Sequence, residues 1–182
     1  MVEQTLHYNR VARFLHWTIG ALIILNIVLG IFHDPLGEIY PGTMGVHKSI
    51  GFVVLTLSLY RLFWRITHPA PPLPASMATW ERFSAHGLHW IFYALMIILP
   101  MTGWIFSSAG KYPLQFFGLF DIPKLAVEKG SGLAEGTHNA HVVFGYSWAV
   151  LLLIHVGAAL RHQFMLRDNV LSRMWLGAPG KV

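Results

Sequence analysis

Eleven histidines lie in a chain of 182 residues that contains no cysteine and in which only 12% of residues are Asp, Glu, Lys or Arg. A soluble domain carries about a quarter charged residues, so an ordinary water-soluble enzyme and a disordered chain are both excluded. Without cysteine there is no disulfide, iron–sulfur cluster, thiolate zinc site or covalent c-type attachment. The side chain left to do chemistry is imidazole, which exchanges protons, hydrogen-bonds and ligates metals. Its most informative spacing is that of His141 and His155, 14 residues apart in a stretch without charge. At about 3.6 residues per turn and 1.5 Å per residue they share a helix face and lie about 21 Å apart. Two stacked sites on one helix are implied.

Such sites need helices to hold them. A bilayer span takes roughly 20 apolar residues. Phe14 to Phe32, Leu88 to Phe106 and His138 to Leu160 carry no Asp, Glu, Lys or Arg. Val46 to Trp64 carries only Lys48 and Arg61, near its ends, where long basic side chains snorkel. The runs are continuous rather than alternating, which excludes β-barrel strands. The first lacks a small-residue cleavage site and reads as a span, not a signal peptide. The expected fold is all-α, an integral membrane four-helix bundle forming a single transmembrane domain over residues 1–182. Its helices are expected at about 11–32, 46–66, 85–106 and 138–163. The connector Ile66 to Ala85, with Pro69, Pro71, Pro72 and Pro74, is expected to be an extended strap that cannot be helical. Ser107 to Thr137, with Phe116, Phe117, Leu119 and Phe120, is expected to lie along the membrane interface.

Charge gives an orientation. The N-terminus, second connector and C-terminus hold Arg10, Arg13, Arg61, Arg65, Arg82, Arg161, Arg167, Arg173 and Lys181. The opposite side holds Lys48, Lys111, Lys124 and Lys129. This asymmetry predicts that both termini are cytoplasmic. The net charge of +5 therefore reflects topology rather than a nucleic-acid patch.

Depth then pairs the histidines. His47 opens the second helix from the periplasmic side, level with His141. His16 opens the first from the cytoplasm, level with His155. A histidine inside a span is costly and faces the bundle interior with a partner. The alternative is four unrelated polar residues bonding to neighbouring helices. Gly20, Gly51, Gly145 and Ala159 each follow one of these histidines by four residues, on the same face. They leave room beside each ring, although small residues also serve close helix packing. Zinc takes three or four protein ligands, and two histidines per level are too few. Haem iron already has four porphyrin nitrogens and takes histidine as an axial ligand. Two axial ligands favour electron transfer over oxygen storage, and without cysteine the haem is b-type. Lys48 on one side, and Arg10, Arg13 or Arg65 on the other, are candidate partners for its propionates. A histidine-based metal or proton carrier without haem is disfavoured, because no carboxylate lies within the spans.

At several stretches the sequence resembles the bacterial cytochrome b561 family, a group related to the cytochrome b subunits of nickel–iron hydrogenases. They are Arg13-Phe14-Leu15-His16-Trp17, His47-Lys48-Ser49-Ile50-Gly51, and Tyr60-Arg61-Leu62-Phe63-Trp64-Arg65 through His68-Pro69. His86-Gly87-Leu88-His89-Trp90, Leu99-Pro100-Met101-Thr102-Gly103-Trp104 and His141 through His162 continue the likeness to about Trp175. The resemblance implies a bacterial inner-membrane protein with two b haems, ligated by His16 with His155 on the cytoplasmic side and by His47 with His141 on the periplasmic side. These are the pairs reached from depth. It also implies exchange with a membrane quinone, with ubiquinone the expected substrate, and in some relatives oxidation of superoxide at the periplasmic face. The first connector, which can be basic in such relatives, reads His33-Asp34-Pro35-Leu36-Gly37-Glu38 here, with no Arg.

On this reading the chain moves electrons between a periplasmic donor, superoxide among the candidates, and the quinone pool. The alternative is a haem-bearing anchor of a larger periplasmic oxidoreductase, docked through Ser107 to Thr137. No catalytic residue is assigned. His89 and His162 are the candidates for hydrogen-bonding quinone carbonyls and relaying protons. Their other reading is as interfacial histidines satisfied by lipid headgroups or water. Pro100 is expected to bend the third helix, and Trp148 to pack the core.

Overall fold

The computed structural model describes residues 7–74, 77–168 and 170–175, so Lys181, counted above for orientation, lies outside the described residues. Helix α1 (Arg10–Ile31) leads through the short α2 (His33–Ile39) to α3 (Thr43–Thr67), and α4 (Thr79–Ser108) and α5 (Gly132–Arg161) follow. The four longer ones are each long and apolar enough to cross a membrane.

Leu15, Ile19 and Ile23 recur every fourth residue along α1 and meet Ile50 and Val54 of α3, Met96 of α4 and Trp148 of α5. Outside, Phe14, Phe63, Val143 and Leu153 are exposed, whereas Arg13, Ser49 and Ser58 are buried. This inversion suits a lipid solvent, in which backbone groups bond within helices and polar side chains turn inward. Lipid tails provide no hydrophobic drive between helices, so close packing and interhelical hydrogen bonds hold the bundle. The α4 helix packs against α5 and α3, and α3 against α1. Among the described residues α5 makes few close backbone approaches to α1 or α3. That wider gap is where the paired histidines meet.

All four long helices begin earlier than hydropathy indicates, α4 and α5 by six residues each. The α4 helix starts at Thr79 rather than 85 and α3 runs to Thr67, so residues 66–67 and 79–85 of the expected strap are helical. No proline lies between Pro74 and Ala85, and the Glu81 carboxylate accepts the Ala78 N–H at 3.2 Å, which is a helix-start signal. The α5 helix starts at Gly132 rather than 138, where Ser131 Oγ accepts the Ala134 N–H at 3.3 Å. Hydropathy marks where lipid begins; capping marks where the helix begins. At its other end α5 stops at Arg161 and passes into a π-turn, His162–Leu166.

The connector expected along the interface contains an antiparallel hairpin, β1 (Leu114–Phe116) with β2 (Phe120–Ile122). Phe117 and Gly118 both have positive φ, 49° and 75°, and Leu119 N donates to Phe116 O at 2.9 Å, the pattern of a type I′ turn. Glycine adopts this conformation freely, but a phenylalanine there is strained. Ser49 Oγ, fully buried on α3, accepts the Phe117 N–H at 2.9 Å and so pins the turn to the bundle.

Candidate functional site

The four expected ligand histidines meet as two pairs at two levels. On the hairpin side the His47 and His141 rings are 6.1 Å apart between centroids, and on the strap side His16 and His155 are 6.2 Å apart. A metal held at about 2.0–2.1 Å by two opposed imidazole nitrogens separates the ring centroids by about 6 Å. Both pairs therefore have the spacing of a bis-imidazole metal site.

The hairpin-side rings are also oriented as ligands. His47 Nδ1 donates to the Asn26 backbone carbonyl at 3.0 Å, and His141 Nδ1 donates to the Leu99 carbonyl at 3.0 Å. In a neutral ring that leaves Nε2 unprotonated and aimed away, as a metal-ligating histidine requires. Each ring sets its Cε1 corner against a glycine one turn beyond its acceptor. A Cβ built on Gly30 or on Gly103 would come within 2.9 Å of the Cε1 of His47 or His141, respectively. Asn26 with Gly30, and Leu99 with Gly103, thus form the same seat on two different helices. Thr102 Oγ1 donates to the same Leu99 carbonyl at 2.7 Å.

These rings line a cavity of about 440 Å³ together with Lys48, Gly51, Gly145 and Trp148, a volume typical of cofactor and small-molecule sites. A Cβ on Gly145 would meet nothing within 4 Å, and one on Gly51 only the Asn26 side chain at 3.8 Å. Pro100 lies inside α4 and lines this cavity, and Trp148 is buried in the core.

The strap-side pair is supported differently. Arg61 Nη2 donates to His16 Nδ1 at 3.3 Å, and Nη1 donates to the Ala12 carbonyl at 3.2 Å. His155 makes no hydrogen bond among the described residues; His89 and Phe92 pack on it, at 5.7 and 5.4 Å between ring centroids. A Cβ on Gly20 would meet nothing within 4 Å. Beside this pair lies a second cavity of about 470 Å³, lined by Tyr8, Arg61, Arg65, Arg82, His86 and His89 among others.

His89 Nδ1 donates to the Ala85 carbonyl at 2.6 Å, leaving Nε2 free. His162 is buried away from that cavity, with Nδ1 2.5 Å from Asp168 Oδ2. The two candidate quinone histidines therefore stand in separate surroundings. Gly30, Gly103, Asn26 and Arg61 received no role from the sequence alone. Only the four-residue step from Asn26 to Gly30 and from Leu99 to Gly103 hints at the two seats.

Comparison with known proteins agrees with this architecture. Residues 7–177 match the family described as Prokaryotic cytochrome b561. Cytochrome b561 homolog 2 of Escherichia coli K12 is 29% identical over 171 residues, covering 92% of this chain and 90% of its own. Probable superoxide oxidase CybB of Yersinia pestis is 28% identical over 163 residues, 88% of this chain and 90% of its own. Cytochrome b562 of Cereibacter sphaeroides is 26% identical over 177 residues, 92% and 94% of the two chains. With four apolar helices long enough to span a membrane, the chain belongs to the prokaryotic cytochrome b561 family of membrane electron-transfer proteins, cytochromes that bind haem b.

Proposed function

We propose that this chain is a di-haem b cytochrome of the bacterial inner membrane, with both termini cytoplasmic, that carries electrons from a periplasmic donor to the quinone pool. The whole of residues 1–182 then forms one transmembrane domain. The observation that carries the reading is the pair of imidazole couples at 6.1 and 6.2 Å, stacked along α5. Haem bound at each level supplies one-electron redox chemistry. The likeness to a probable superoxide oxidase makes superoxide the first donor to test, and ubiquinone is the acceptor proposed.

The residues divide the work. His47 and His141 present Nε2 while the Asn26 and Leu99 carbonyls and the two glycine seats hold their rings. His16 and His155 are the proposed ligands at the cytoplasmic level, where Arg61 rather than a backbone carbonyl faces His16 Nδ1. Lys48 is positioned to meet propionate oxygens at the periplasmic level, and Arg65 at the other. Gly20, Gly51 and Gly145 leave the ring flanks clear. His89, with Nε2 free on the polar cavity, accepts a hydrogen bond from a hydroxyl of the quinol product. His162, paired with Asp168, exchanges protons with the cytoplasm.

A reduced-minus-oxidised spectrum with haem quantitation tests this. Two b haems per chain are expected. Alanine at His16, His47, His141 or His155 loses at least one, and alanine at His86, His89, His138 or His162 loses none. A colourless chain, or one haem per chain, overturns the reading. Purified protein should also reduce ubiquinone when given superoxide; an inert cytochrome that gains activity only with a co-purifying periplasmic subunit would be an anchor instead.

A further inference from the structure

We infer that Arg61 makes the strap-side haem the more easily reduced of the two, so that electrons run downhill from the His47–His141 level to the His16–His155 level. The inference rests on the two-haem reading above, to which it adds a direction and a residue that sets it.

The asymmetry lies in what touches each ligand. Both hairpin-side rings donate Nδ1–H to a backbone carbonyl, which raises ligand basicity and favours the oxidised metal. At the strap side a guanidinium, not an acceptor, sits against His16 Nδ1 at 3.3 Å. A cation at that distance draws electron density from the ring and favours the state with one more electron.

No carboxylate among the described residues pairs with that charge. The ion pairs among the described residues are His33–Asp34, Arg161–Glu81 and His162–Asp168, none of which involves Arg61 or Arg65. Arg65, one turn further along α3, lines the same cavity with a buried Nη1 that has no hydrogen-bond partner. Tyr8 faces both arginines as a neutral hydroxyl, because burial raises its phenol pKa. On the hairpin side Lys48 is the cation of the cavity lining. Its ammonium makes no hydrogen bond to either ring among the described residues, and it rides on a flexible stem rather than a rigid fork. Arg61 is held on one turn of α1, at Ala12 and His16, and also meets the Tyr93 hydroxyl of α4. It is a positioning residue, acting through His16.

Arg61 also ties α3 to α1, so the test separates charge from bracing. Arg61→Gln keeps a polar side chain without the charge; Arg61→Lys keeps the charge without the fork. Potentiometric titration is run on the haem-loaded protein, with H47A and H16A assigning the two components by leaving one level each. In wild type the strap-side haem is expected to have the higher midpoint. In R61Q its reduced-to-oxidised ratio at fixed potential should fall about tenfold, a shift of about 59 mV for a one-electron couple. The other haem should move far less, and R61K should restore most of the difference. Should R61Q fail to accumulate, the order of midpoints in H47A and H16A decides the matter. Two bound haems whose midpoints R61Q leaves alone or shifts equally, or a strap-side midpoint below the other, overturn the inference while leaving the two-haem reading standing. Fewer than two haems in wild type overturns the reading itself.

Discussion

The two histidine pairs have nearly the same spacing, yet different neighbours hold them. On the hairpin side, α1 and α4 each offer a carbonyl and a glycine, so both rings are fixed by backbone. On the strap side the supports are side chains: Arg61 against His16, and His89 and Phe92 against His155. Backbone fixes geometry because a helix cannot move one carbonyl without moving its turn. Side chains fix charge and proton exchange at the expense of rigidity. One bundle thus carries a rigid site and a tunable one at opposite ends of the same helix.

The largest effect should come from filling a seat. Gly30→Val or Gly103→Val pushes a methyl group into the ring of His47 or His141, and each should drop haem content from about two per chain to about one. Quantitation with a difference spectrum reads this, and loss of the strap-side component instead would break the comparison. Gly20→Leu and Gly145→Leu sharpen it, because no protein atom lies within 4 Å of a Cβ at either position. Each should lose the haem at its own level while keeping helical circular dichroism and a monodisperse elution profile. Retention of both haems would mean that these glycines do not flank a macrocycle. The smallest effect is that of Ser49→Ala, which strips the Phe117 N–H of its partner and costs about 1–3 kcal/mol. Protease sensitivity should rise at the hairpin, with the strap-side haem unaffected.

The spans and the ligand candidates were legible because membranes penalise polarity: a histidine among leucines has few reasons to be there. The rule that i and i+4 share a face drew attention to Gly20, Gly51 and Gly145, each on the same helix as its histidine. The same rule applied within one helix could not reach Gly30 or Gly103, whose partners His47 and His141 lie on other helices. Arg61 read as a basic residue at a membrane edge, and only tertiary structure turns it towards His16. The first turns of α4 and α5 were hidden because Glu81, Arg82 and Glu135 end the apolar signal before the helix ends. The hairpin was obscured by Phe117 in a turn position where glycine or asparagine would announce it.

With a haem at each level, as proposed above, the 14 residues between His141 and His155 also fix how far charge travels across an electric field. Their separation of about 21 Å is about two thirds of a hydrocarbon core about 30 Å thick. An electron moving inward between the two levels therefore works against about two thirds of the transmembrane voltage, about 1.6 kcal/mol for every 100 mV. With an energised membrane, negative inside, that step is opposed, and as the voltage collapses the opposition fades. The spacing of the two proposed levels thus ties the ease of inward transfer to the membrane voltage.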